Sequence, residues 1–194
     1  MTPAPSSKPV SPRHAASLIL LRKTLAGPQV LMGRRPARSR FAPDVFVFPG
    51  GRLDAADFDR PVIAPLAEDC VRRTGADVRL AAALASAAIR ETEEETGLSL
   101  ANDHGPLTLA ARAITPTNSP VRFHARFFAA DADIASGEAA DSSELADLTW
   151  RSLDDALRLP LFDITEEVLR TLQRQGAPFM MTYRAGTTRV RTLA

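Results

Sequence analysis

Cysteine is nearly absent from the chain, with Cys70 alone among 194 residues. That excludes an internal disulfide framework and a cysteine metal cluster, and makes a reducing, cytoplasmic setting the expectation. Long apolar runs are also missing. No stretch approaches the roughly 18 residues that a membrane helix needs, so no membrane association is expected. The apolar segment Ser17 to Leu21, behind Lys8 and Arg13, is too short for a secretory signal. Aromatic residues are sparse, and none interleave with the basic residues as in a nucleic-acid-binding surface, so no nucleic-acid partner is expected.

Acids are missing from both ends. Residues 1–43 hold eight Lys or Arg and no acid, and residues 168–194 hold five Arg and no acid. All 23 acids therefore lie in 44–167, beside 11 basic residues. The net charge of +1 is the sum of segments carrying +8, −12 and +5. Such a partition suits charges that neutralise across a folded surface. It also suits an acidic metal site flanked by basic arms that meet an anionic substrate.

What is present reads as one globular domain, 45% hydrophobic and 24% charged. The Pro- and Ser-rich residues 1–13 read as a disordered leader, and 14–194 as the domain. Ala15 to Leu21 and Gln29 to Gly33 read as a strand hairpin turning at Ala26-Gly27-Pro28. A basic loop with Arg34, Arg35, Arg38 and Arg40 follows, then a short strand, Val45 to Phe48, stopping at Pro49-Gly50-Gly51. Weak helical periodicity runs through 58–77, and 78–96 is the strongest predicted helix, ended by Gly97. Strands are predicted over 107–114, 121–130 and 145–150, helices near 152–158 and 164–175, and strand-like pieces after Pro178. Strands in hairpins interrupted by helices give an α/β (α+β) class.

The stretch Arg90-Glu91-Thr92-Glu93-Glu94-Glu95-Thr96-Gly97 carries the chemistry. With about 100° of rotation per residue, Glu91, Glu94 and Glu95 share one helix face, Glu93 points away, and Ala85, Ile89, Thr92 and Thr96 form the packing face. Three like charges at i,i+3 and i,i+4 repel, and a helix C-terminus disfavours each of them. A hard divalent cation, Mg²⁺ or Mn²⁺, would reverse both penalties. Arg90 lies four residues before Glu94 and can pair with it.

Arg-Glu-x-x-Glu-Glu-x-Gly resembles the second half of the Nudix box, and Pro49-Gly50-Gly51 resembles its first half. The resemblance covers about residues 15–175. It implies a Nudix α/β/α sandwich with a mixed sheet, and a metal-dependent hydrolase of nucleoside diphosphates linked to another group. The usual box spaces its glycine 14 residues before its arginine. Here Gly51 and Arg90 are 39 apart, so a helical insert, about 58–82, interrupts the box. Asp57 stands where the family has Glu, and Thr92 where an aliphatic residue is usual.

The run from Arg40 to Asp57, Ile114-Thr115-Pro116 and Arg122-Phe123 resembles the branch that includes the peroxisomal coenzyme A diphosphatase of animals, although His124 stands where Asp is common. The resemblance implies Glu91, Glu94 and Glu95 as metal ligands and Arg90 as their orienting partner. Glu144, in a loop before a late strand, is the candidate general base. Gly50, Gly51, Arg34, Arg35, Arg40 and His124 are candidate substrate contacts. Coenzyme A or an acyl derivative is the first expected substrate. ADP-ribose, a dinucleotide or a nucleotide sugar is the alternative, and a non-catalytic nucleotide-binding regulator is another. A homodimer is a further expectation.

Overall fold

A computed structural model describes residues 10–39, 42–60, 66–100, 107–184 and 186–194. The strands are β1 (Arg13–Thr24), β2 (Gly27–Arg34), β3 (Phe46–Val47), β4 (Gly50–Arg52), β5 (Ser99–Leu100), β6 (Thr108–Ile114), β7 (Phe123–Asp131), β8 (Ala135–Ser136), β9 (Ala146–Ser152), β10 (Phe179–Arg184) and β11 (Thr187–Thr192). The α-helices are α1 (Glu68–Thr74), α2 (Val78–Thr96), α3 (Leu153–Ala156) and α4 (Asp163–Gln173).

Among the described residues, nine strands form one sheet in the order β11-β10-β6-β7-β1-β2-β3, with β4 added to β1 and β9 to β2. The sheet is mixed, because β1 runs parallel to β7 and β10 parallel to β6 while the other pairs are antiparallel. Alternation along β1 splits the core in two. Ala16, Leu18 and Leu20 face α2 through Leu84, Ala85, Ala88 and Ile89, whereas Ile19 meets Val168 and Leu169 of α4 on the other side. The result is the expected α/β/α sandwich. No helix among the described residues is long and apolar enough to cross a membrane.

The helix α2 begins and ends where its residues require. The Asp77 carboxylate accepts from the Leu80 N–H at 2.8 Å, and Gly97 takes the left-handed φ of 72° that closes the C-terminus. Its small residues Ala81, Ala83, Ala85, Ala87 and Ala88 are buried, which lets the helix axis lie close to the sheet. Thr92 replaces an aliphatic residue without leaving an orphan hydroxyl. Its Oγ1 donates to the Ala88 carbonyl at 2.7 Å, and Thr96 repeats the device on Thr92 at 2.6 Å.

Several boundaries differ from the sequence reading. Arg13 already belongs to β1, and residues 1–9 lie outside the described residues. The broad helix expected over 58–77 is a 3₁₀ turn at Ala55–Phe58 followed by the short α1, with 61–65 outside the described residues. The last residues of the expected insert, 78–82, are the opening turns of α2. Gly50 and Gly51 are not only a turn: they form β4, in register with Ser17 and Ala16 of β1.

Candidate active site

The pairing of β4 with β1 brings the two glycines under the C-terminal half of α2. Gly50 has a φ of +152°, and a Cβ there would overlap Ser17 and the Ala16 carbonyl. A Cβ on Gly51 would overlap the Glu91 carboxyl itself. Both positions therefore demand glycine, one for its backbone and one for the carboxylate it admits. Gly51→Ala is expected to push the Glu91 carboxyl aside and lower kcat by about a hundredfold, read by steady-state kinetics on protein with an unchanged circular dichroism spectrum.

Arg90 clamps this region. Its Nε and Nη2 donate to both oxygens of Asp57 at 2.8 and 3.0 Å. Its Nη1 donates to Glu91 at 2.9 Å and to Glu94 at 3.1 Å, and Nη2 also reaches the Arg52 carbonyl at 3.2 Å. Asp57 is 1% exposed. Burial works against its charge, but the Arg90 guanidinium and the Asp54 N–H hold its carboxyl below the usual range. The bond to Asp57 raises the pKa of Arg90 against the effect of burial, and the bond to Glu91 adds to the rise. The Asp at 57 thus takes the arginine-anchoring place, through a shorter side chain carried on the 3₁₀ turn.

Glu95 is nearly buried and accepts the Gly50 N–H at 2.8 Å. Burial, together with the charges of Glu91 and Glu144, pushes its carboxyl up to about 8, against the Gly50 bond and Arg35. Burial also raises Glu91, aided by Glu94 and Glu144 and opposed by Arg90. Glu144 therefore acts electrostatically on both helix carboxylates although it comes from a distant loop. That loop is braced by Asp141, which accepts from Asp147 and Leu148 N–H at 3.0 and 2.9 Å. The Ser142 hydroxyl accepts from the Glu144 and Leu145 N–H groups. Glu93 points away, as its helix phase requires, bonding Arg60 at 2.5 Å and the Leu100 N–H at 3.1 Å.

The arginine loop divides. Arg35 is close enough to act on Glu95. Arg34 is committed to Asp44 at 2.7 Å. Arg38, on the same loop, donates to the Ser143 carbonyl at 3.0 Å, next to Glu144. Arg40 lies outside the described residues. His124 is not brought to the carboxylates. It stacks obliquely against His14, with centroids 5.9 Å apart, and contacts Arg112 at 3.3 Å. Burial, then Arg126 and Arg112, push His124 down to about 3, and burial and Arg126 lower His14. Both imidazoles are neutral in the folded chain and take up protons on unfolding below pH ~6.5. Their contribution to stability is expected to be full above that pH and to be lost as pH drops toward 3, against the opposite slope from Glu95, whose raised carboxyl holds its proton up to about 8 only in the folded chain. Urea midpoints measured from pH 8 to 4 isolate it: the difference between wild type and His124→Gln should fall toward acid pH.

The family model of the NUDIX domain matches residues 11–172. The chain belongs to the Nudix family. Among solved structures, a Nudix hydrolase from Alicyclobacillus acidocaldarius is similar at 26% identity and a TM-score of 0.65, over 84% of this chain and 91% of that one. A MutT Nudix hydrolase from Burkholderia pseudomallei shares 24% identity at a TM-score of 0.56, over 83% and 98%. The Nudix domain of Shewanella oneidensis NrtR, solved with ADP ribose, shares the fold at 13% identity and a TM-score of 0.58, over 86% and 89%. No curated protein sequence matches.

This Nudix protein is a pyrophosphatase-type hydrolase of nucleotide diphosphates, and Nudix hydrolases generally work with divalent cations. Among the described residues, no three carboxylates, imidazoles or thiols already converge at metal-ligand spacing. Glu91 and Glu94 are turned to Arg90, and Glu95 to Gly50. The donor set still fits a hard cation: carboxylate oxygens only, with Glu95 buried beside two further negative charges.

Proposed function

We propose that the chain hydrolyses the diphosphate bond of a nucleoside diphosphate linked to another moiety, with Mg²⁺ or Mn²⁺, and that coenzyme A or an acyl-coenzyme A is its first substrate. The observation that carries the reading is the buried Glu95, bonded to Gly50 and crowded by Glu91 and Glu144. A carboxyl that burial and two neighbouring carboxylates hold back from ionising is one that a bound cation would let ionise. Glu91, Glu94 and Glu95 would hold the metal, which when bound supplies charge neutralisation and a more acidic water. Arg90, fixed by Asp57, keeps Glu91 and Glu94 on that face. Glu144, exposed at its loop tip, accepts the water proton. Arg35, near enough to act on the charge of Glu95, would meet the anionic substrate.

The substrate assignment rests on the resemblance of residues 40–57, 114–116 and 122–123 to the coenzyme A diphosphatase branch. A product-resolved screen of diphosphates with Mg²⁺ and with Mn²⁺ tests it. Release of 3′,5′-ADP from coenzyme A is the expected result. Preferred cleavage of ADP-ribose, a dinucleotide or a nucleotide sugar keeps the chemistry and replaces the substrate. Hydrolysis of none of them removes the enzymatic reading in favour of a nucleotide-binding role.

A further inference from the structure

One row of the sheet continues from the carboxylates into a cluster of unneutralised arginines. Gly51 is in register with Ala16, Ala16 with Arg126, Arg126 with Arg112, Arg112 with Met180, and Met180 with Arg191. Residues in register on neighbouring strands point to the same face, here the face that carries α1 and α2. Arg126 is 1% exposed. Its Nε donates to the Thr74 carbonyl at 3.2 Å, and its Nη1 to the His124 carbonyl and toward His14 Nδ1, both at 2.9 Å. The last turn of α1 and its Gly75 cap rest directly on Arg112, so closely that a Cβ at Gly75 would overlap the guanidinium.

Arg112 and Arg191 are poorly served by the protein. Arg112 reaches the Arg73 carbonyl only at 3.4 Å and His124 Nε2 at 3.3 Å, and its buried Nε has no partner. Arg191 contacts the Met180 sulfur at 4.0 Å and is otherwise exposed. None of Arg112, Arg126 and Arg191 forms an ion pair with a described carboxylate, and burial, followed by the charge of Arg191, lowers the basicity of Arg112. Glu68 opens α1 far from its capped end, Asp69 is paired with Arg73, and Asp77 caps α2. Guanidinium groups concentrated and partly desolvated without an acid are unfavourable as structure alone, and an oxyanion with several acceptors corrects this.

We propose that Arg112 and Arg191, backed by buried Arg126, form a second anion subsite that takes a phosphate monoester. It lies three to five strand spacings, about 14 to 24 Å, from Gly51 along the sheet. The monoester is either part of the diphosphate substrate or free phosphate, and both present the same dianion to the arginine row.

Calorimetric titration of inorganic phosphate into the full chain, without divalent cations, tests the site independently of turnover. Wild type is expected to bind phosphate, and Arg191→Gln to weaken it about tenfold. Arg191 lies on the exposed edge strand, so this change leaves the fold intact. Arg112→Gln should weaken phosphate equally, and Arg158→Gln, on the surface beside α3, should leave it unchanged. Equal phosphate affinity in wild type, Arg191→Gln and Arg112→Gln overturns the proposal, as does absence of binding. Steady-state kinetics on coenzyme A and its 3′-dephospho form then assign the source. An Arg191→Gln rise in KM for the phosphorylated compound alone assigns the monoester to the substrate. Equal KM changes for both, with phosphate binding lost, assign free phosphate.

Discussion

Glu94→Gln is expected to lower kcat by about two to four orders of magnitude while the protein unfolds at nearly the wild-type temperature. The two halves of that expectation have separate causes. Glu94 is 60% exposed at its side chain, and its bond to Arg90 is an i,i+4 pair at the helix surface. Losing that bond also removes a like charge from beside Glu91, so stability should change by no more than about 0.5 kcal/mol. The chemical cost is larger, because an amide cannot replace a carboxylate oxygen on a divalent cation without loss of charge. Glu93→Gln is the control. Glu93 spends its carboxylate on Arg60 and the Leu100 N–H, and kcat should stay near wild type. Kinetics and thermal melts of the two variants, side by side, check both halves. A near-wild-type kcat for Glu94→Gln would remove Glu94 from the metal site, and a large loss for Glu93→Gln would place the ligand face on the other side of α2.

The second large effect is structural. Asp57→Ala leaves the Arg90 guanidinium, 14% exposed at its side chain, without its bidentate partner. Removing one member of a buried pair costs about 3–5 kcal/mol, a fall in Tm on the order of 10 °C for a chain of this size. Activity should fall as well, since Arg90 freed from Asp57 no longer fixes Glu91 and Glu94. Asp57→Glu should retain the pair. The double change Asp57→Leu with Arg90→Met should recover much of the stability and none of the activity. That outcome, read by denaturant melts and kinetics together, would separate the cost of an orphaned charge from the positioning that the pair supplies.

The helix that matters was legible to its last residue. Val78–Thr96 is bounded by a capping Asp and a terminal Gly, and rotation alone assigned Glu91, Glu94 and Glu95 to one face and Glu93 to the other. The strands β1, β2, β3, β6, β7 and β9 were also legible, within three residues at either end, from apolar runs and turn residues, and the last two only as strand-like pieces. What escaped depends on partners far apart in the chain. The Gly50-Gly51 strand exists only because β1 offers an edge at Ser17 and Ala16. Asp57 reads as a mere shortening of the usual Glu until the 3₁₀ turn carries it to Arg90. Arg112 and Arg126 read as ordinary alternating strand residues, and nothing local announces that α1 will close over them. The arginine loop looked uniform, yet Arg34 is occupied by Asp44 and Arg38 by the Ser143 carbonyl.

The interruption between Gly51 and Arg90 is inexpensive in chain entropy. Lengthening a connection from 14 to 39 residues raises the closure cost by only about 1 kcal/mol. Both ends are fixed independently, Gly51 by its ladder on β1 and Arg90 by the packing of α2. Register across the sheet, not contiguity along the backbone, keeps the two halves of the motif together. The intervening segment is therefore free to change in length and composition, provided that it still delivers Asp57 to Arg90 and the end of α1 to Arg112.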